Sequence, residues 1–166
     1  MPGSPAARRE RTGASRIEAW AGAAGVLALV LVADQALKQL ALSSLERGQP
    51  QNIFFGLDLN LVRNTGIAFG AFAGAGDAVG LLTGAALVLL VVYFARNASV
   101  PGLWGPVGML SGGALGNLAD RHRDGSVIDF IDPYAWPAFN LADVCIVLGV
   151  LGLLYVIEGE REPGAG

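Results

Sequence analysis

Four long apolar stretches dominate this chain: residues 17–42, 78–95, 101–118 and 138–157. Each has roughly the 17–25 residues needed to cross a hydrocarbon core about 30 Å thick. A segment in lipid must satisfy its own backbone polar groups, and a helix does so without a partner. The chain therefore reads as an all-α membrane protein, a four-transmembrane-helix bundle. Composition agrees, since only 15% of its 166 residues are charged, against about 25% in soluble domains. A cleavable signal peptide is the competing reading of the first stretch. Ala21-Gly22-Ala23 lies before the Leu/Val core, however, on the wrong side for cleavage.

The expected layout is a basic arm over 1–16, read as disordered, a membrane domain over 17–158, and a polar tail over 159–166. Orientation follows the Lys/Arg bias of the flanks. Arg8, Arg9, Arg11, Arg16, Arg96 and Arg161 fall on one side, and Arg47, Arg63, Arg121 and Arg123 on the other. Six against four places both termini in the cytoplasm. Two loops, about 43–77 and 119–137, then lie outside. In the first, Phe55, Leu57, Leu59 and Leu61 alternate with Gly56, Asp58, Asn60 and Val62. This is strand periodicity with one apolar face, so a small sheet on the membrane surface is expected. Asn64-Thr65-Gly66 is a turn signal at its end.

Several functions are excluded early. A net charge of −3 without a dense basic run offers nothing for nucleic acid. One cysteine, Cys145, and one histidine, His122, cannot build a Cys/His metal cluster. A Ser–His triad would depend on His122, and no G-x-S-x-G elbow is present. Cys145 reads as a small core hydrophobe.

Ionisable residues within spans are costly and therefore candidates for function. Here they are Asp34, Lys38, Asp120 and Asp143, all expected at one depth near the outer surface. Asp143 is placed six residues along a helix from Pro137, about 9 Å. Asp34 and Lys38, four apart, share a helix face, either as an ion pair or as substrate contacts. Gly108, Gly112 and Gly116 form a small-residue stripe that lets helices approach closely, and it runs on to Asp120. Gly113, Asn117 and Arg121 form the adjacent row. Asp120 and Asp143 are the expected catalytic pair. Two carboxylates in one low-dielectric site do not ionise together, so one activates water while the other donates a proton.

The segments Asp34-Gln35-Ala36-Leu37-Lys38, Asn64-Thr65-Gly66-Ile67-Ala68-Phe69-Gly70, Gly112-Gly113-Ala114-Leu115-Gly116-Asn117-Leu118-Ala119-Asp120-Arg121, Val127-Ile128-Asp129-Phe130 and Phe139-Asn140-Leu141-Ala142-Asp143 resemble, in order, the signature blocks of bacterial lipoprotein signal peptidases (signal peptidase II). The resemblance implies an intramembrane aspartic endopeptidase of the bacterial plasma membrane that removes signal peptides from diacylglyceryl-modified prolipoproteins, cutting before the lipidated cysteine. It assigns Asp120 and Asp143 to the catalytic dyad. It makes Asp34, Lys38, Asn64, Gly66, Gly113, Asn117, Arg121, Asn140 and Ala142 the residues that line or support the substrate site. The family fold adds an extracytoplasmic β-cradle, and neither metal nor organic cofactor is expected. The expected partners are lipidated prolipoproteins and membrane lipids, with the enzyme a monomer. The competing classes are a small transporter or proton relay, and a membrane scaffold. A transporter more often shows inverted repeats or broken helices, and this sequence has neither.

Overall fold

The computed structural model describes residues 5–66 and 76–161, with side chains described from Ser15 onward and from Ala78 onward. Ile67, Ala68, Phe69 and Gly70, quoted above as part of a motif, lie outside the described residues. Four helices and three strands follow in the order α1 (Pro5–Ser44), β1 (Gln51–Phe54), β2 (Leu57–Asn64), α2 (Gly76–Asn97), α3 (Trp104–Asp124), β3 (Val127–Pro133) and α4 (Leu141–Arg161).

Among the described residues, three helical segments are long and apolar enough to cross a membrane: Ser15–Ser44, Ala78–Asn97 and Leu141–Glu160. α3 lies outside that set because Ser111, Asn117, Asp120 and five glycines dilute its hydropathy. It is instead the helix that packs against α1, α4 and α2. A helix covered by protein does not need a continuous apolar surface. Its glycine stripe faces α1. A Cβ on Gly108 would stand 2.7 Å from the Ala23 carbonyl oxygen, and one on Gly112 2.8 Å from that of Leu27. On the adjacent row, a Cβ on Gly113 would stand 2.5 Å from the Ala142 carbonyl oxygen on α4. Lipid offers no hydrophobic drive to bring helices together, so backbone contact of this kind is the main source of packing energy.

Two apolar clusters close the ends of the bundle. Ala19, Ala23, Phe94, Ala98, Leu103 and Val107 form one, edged by the Trp20 and Phe94 rings at 4.7 Å and 64°. Ala41, Leu45 and Phe130 form the other, beneath the sheet. The sheet is antiparallel with order β1-β2-β3.

Several expectations require correction. The arm expected to be disordered is helical from Pro5, since Ala6-Ala7-Arg8-Arg9-Glu10-Arg11 are strong helix formers. Phe55 and Gly56 are not strand residues. Phe54 pairs with Leu57, and Gly56 turns the hairpin at φ 79. The second outer loop is mostly structured. α3 runs to Asp124, where Gly125 at φ 66 caps it, and β3 follows at once. β3 lacks a period of two because its first four residues are buried on both faces. Finally, α4 starts at Leu141, so Asp143 sits in its first turn and not 9 Å along a helix. The preceding Phe139 is held in a β-bridge to Ile131 instead.

Candidate active site

The C-terminal ends of α1 and α3, the N-terminus of α4 and the sheet meet at one end of the bundle. Buried polar side chains fill the junction. Lys38 is 2% exposed and spends all three ammonium protons: on Asp34 Oδ2 at 2.8 Å, Asp120 Oδ2 at 2.7 Å and Asn117 Oδ1 at 2.9 Å. Asp34 is fully buried. Its Oδ1 accepts from the backbone N–H of Ala142 at 3.0 Å, one of the orphan donors of the α4 N-terminus, where a negative charge is also favoured by the helix dipole. The other oxygen fits only because residue 116 is glycine: a Cβ there would stand 2.6 Å from Asp34 Oδ2.

Asn140 and Asp143 form a reciprocal cap on α4. Asp143 N–H donates to Asn140 Oδ1 at 3.0 Å, and Asn140 N–H donates to Asp143 Oδ2 at 3.2 Å. Asp143 Oδ1 accepts from Asn117 Nδ2 at 2.8 Å. The Asn140 amide nitrogen donates to Asp129 Oδ1 at 2.7 Å and to Asn117 Oδ1 at 3.1 Å. Asn64 completes the array from β2. Its Nδ2 donates to Asp129 Oδ2 at 3.0 Å, and its Oδ1 accepts from Gly66 N–H at 3.0 Å, which makes the expected turn an Asx turn.

A cavity of about 290 Å³ opens beside this array. Asn64, Asn117, Arg121, Asp129 and Asp143 supply its polar wall. Arg121 donates to the Gly66 carbonyl at 3.2 Å, and its buried Nε has no partner among the described residues. Burial, the largest cause, pushes the Asp129 carboxyl up to about 6. The negative charge of Asp143 adds to the rise, while hydrogen bonds from Asn64 and Asn140 and the charge of Lys38 oppose it.

The residues singled out from sequence do converge, but in different roles. Asp34, Lys38, Asn140 and Ala142 are buried and hold the framework, and Gly113 is a helix contact. Asn64, Gly66, Asn117, Arg121 and Asp143 line the cavity. Asp120 does not. Its Oδ2 is taken by Lys38 and by the Ile128 N–H at 3.4 Å, and its Oδ1 by Gln35 at 3.0 Å. Gln35 in turn accepts from Arg123. The carboxylate that shares the cavity with Asp143 is Asp129, which was not among the expected site residues. Its signal was present: one acid in the otherwise apolar run Val127-Ile128-Asp129-Phe130-Ile131. Gln35 was also missed, since nothing local distinguishes it from any other uncharged polar residue within a helix.

The chain is similar to known proteins along most of its length. Residues 26–158 match the family described as signal peptidase (SPase) II. A lipoprotein signal peptidase of Syntrophomonas wolfei subsp. wolfei is 40% identical over 141 residues, spanning 83% of this chain and 95% of that protein. One from Parasynechococcus marenigrum is 43% identical over 141 residues, spanning 82% and 89%. Among solved structures, a bacterial membrane enzyme determined by the in meso method superposes with a TM-score of 0.79 at 26% identity, covering 87% of this chain and 92% of that one.

Proposed function

Because this chain belongs to the signal peptidase II family and is a peptidase that removes signal peptides from lipoprotein precursors, we propose that it cuts by an aspartic mechanism with Asp129 and Asp143 as the dyad. The observation that carries this reading is their shared cavity, with neither carboxylate paired to a cation by a salt bridge among the described residues. The sequence pattern put Asp120 in the dyad beside Asp143. The geometry favours Asp129, because Asp120 is committed to Lys38 and stands outside the cavity wall.

In this mechanism the ionised carboxylate takes a proton from water, whose oxygen attacks the scissile carbonyl. The protonated carboxyl donates a hydrogen bond to that carbonyl. The tetrahedral intermediate then collapses, the C–N bond breaks, and the leaving amine takes a proton from the pair. The products are a signal peptide with a free carboxylate and a lipoprotein with a free amine. Asn64 and Asn140 orient Asp129, while Asn117 and the Asn140 backbone orient Asp143. The orphaned Nε of Arg121 is a donor for a substrate carbonyl.

The enzyme is a monomer in this reading, and α3 is its fourth span. Its 21 residues make about 31 Å of helix, enough to cross. The excess of Lys/Arg at the opposite end supports cytoplasmic termini, with the dyad near the extracytoplasmic surface of the bacterial plasma membrane. A cysteine introduced at Gly164 on a Cys145→Ser background is expected to resist impermeant thiol reagents in intact cells. Labelling from outside would invert the topology.

A diacylglyceryl anchor would hold the substrate at the depth of the dyad, and positioning errors of about 1 Å cost roughly 100-fold in rate. An unlipidated lipobox peptide is therefore expected to be cleaved at least ~100-fold less efficiently than its lipidated form. Equal kcat/KM in matched detergent would remove lipid recognition from the function.

A further inference from the structure

A second concavity, of about 260 Å³, adjoins the catalytic cavity on the outer face of α4. It is lined by Trp136, Phe139, Asp143, Val144, Val147 and Leu148. Trp136, Phe139, Asp143 and Val147 also line the catalytic cavity, so the two spaces share a wall. The groove begins at the carboxylate and follows α4 for five residues, about 7.5 Å along the helix axis, in the direction of the membrane interior. Val147 and Leu148 are 58% and 50% exposed, on a face that continues through Leu151 and Leu154.

We propose that this groove seats an acyl chain of the lipidated substrate and so sets the position of the scissile bond against the dyad. The inference rests on the reading of the enzyme as one that cuts beside a lipidated cysteine. Apart from Asp143 at its head and the Trp136 ring, the lining is aliphatic and aromatic carbon. A peptide backbone laid in such a groove would leave N–H and C=O groups unpaired in a non-aqueous setting, which is costly. An acyl chain has no such groups. A bystander phospholipid would fit the apolar wall but would place its headgroup against the cavity that must receive the scissile bond. The chain next to the cleaved bond is the one whose attachment point naturally lies at Asp143.

Moving an acyl chain from bilayer to groove changes its surroundings little, since lipid tails are as apolar as leucine. The groove therefore contributes alignment more than affinity, and its effect falls on kcat more than on KM.

The test fills the groove at its far end with Leu148→Trp and, separately, Leu148→Phe. Leu148 is half exposed and lies outside the catalytic cavity, so the larger residue crowds neither the bundle interior nor the dyad. Parent and variants are assayed on one lipobox peptide in two forms, with long saturated acyl chains or with acetyl groups on the glyceryl moiety. The expected result is a loss of roughly tenfold or more in kcat on the long-chain form, from misplacement of the scissile bond, with the acetyl form cleaved at the parent's rate. Equal losses on both forms would show that the groove holds peptide, and no loss on either would show that it holds only bystander lipid. Both outcomes overturn the proposal. A parent enzyme that cleaves neither form would instead sink the lipoprotein reading on which it rests.

Discussion

Asp143→Asn and Asp129→Asn are each expected to lower kcat/KM at least about a thousandfold, because a positioned acid or base contributes about 10²–10⁴ and the two act as one unit. Both variants should insert and fold, since an amide keeps the shape and most of the hydrogen-bonding capacity of the acid. Asn64 and Asn140 donate to different oxygens of Asp129, and the remaining oxygen of the amide keeps one of these two bonds. Asp120→Asn is expected to behave differently. Its loss should fall mainly on thermal stability, since it weakens the pairing of Lys38, and the surviving turnover should keep the parent's pH profile. That profile carries its own signature. Asp129 is pushed up to about 6, so the ligand-free pair holds its shared proton below that pH. It loses the proton as pH rises through about 6, and kcat/KM falls there. The stability linkage has the same sign. A carboxyl with a raised folded-state pKa binds its proton more tightly when folded, so its contribution is lost as pH rises from the ordinary carboxylate range through about 6. If Asp129→Asn kept near-parental turnover while a fully folded Asp120→Asn had none, the dyad would be Asp120 with Asp143, as the motifs alone suggest.

Lys38→Met is expected to destabilise the protein by about 3–5 kcal/mol, the range for removing one partner of a buried ion pair. The magnitude follows from the contacts. One ammonium serves two carboxylates and an amide oxygen at 2.7–2.9 Å in a site with almost no solvent. Methionine fills the space but leaves Asp34 without a cation and Asp120 with only the half-exposed Arg123 at 3.5 Å, and both carboxylates lie at the junction of α1, α3 and α4. Thermal unfolding in detergent measures the loss. Adding Asp120→Asn to Lys38→Met should recover part of it, because a single buried carboxylate is easier to accommodate than two, and such neighbours do not add independently. A Lys38→Met protein that unfolds at the parent's temperature would show that the triple contact carries no net stability.

Much of this architecture was legible in the residues. The lengths of the apolar stretches determine helices, because in lipid no other single segment can satisfy its own backbone. The cost of buried charge marks Asp34, Lys38 and Asp143 as purposeful wherever they fall, and Asn117 beside them must find partners. Alternation in 57–64 announced a strand. Helix ends were less legible, because Asn140 can be recognised as a cap only once its side chain is seen to face Asp143.

What only the tertiary structure decided is where each carboxylate stands. Asp120 and Asp129 are nine positions apart on either side of Gly125, and both are buried. Residue type and depth do not distinguish them. The left-handed turn at Gly125 sends β3 back along β2, which brings Asp129 to Asn64 and Asn140, while the last turns of α3 leave Asp120 facing Lys38 on α1. Lys38 is the only lysine in the chain, and Asp120 spends an oxygen on its ammonium, whereas Asp129 takes amide donors from Asn64 and Asn140 beside the cavity. The two acids therefore differ by their distance to a cation some eighty residues away along the chain, a quantity that exists only after the helices have packed.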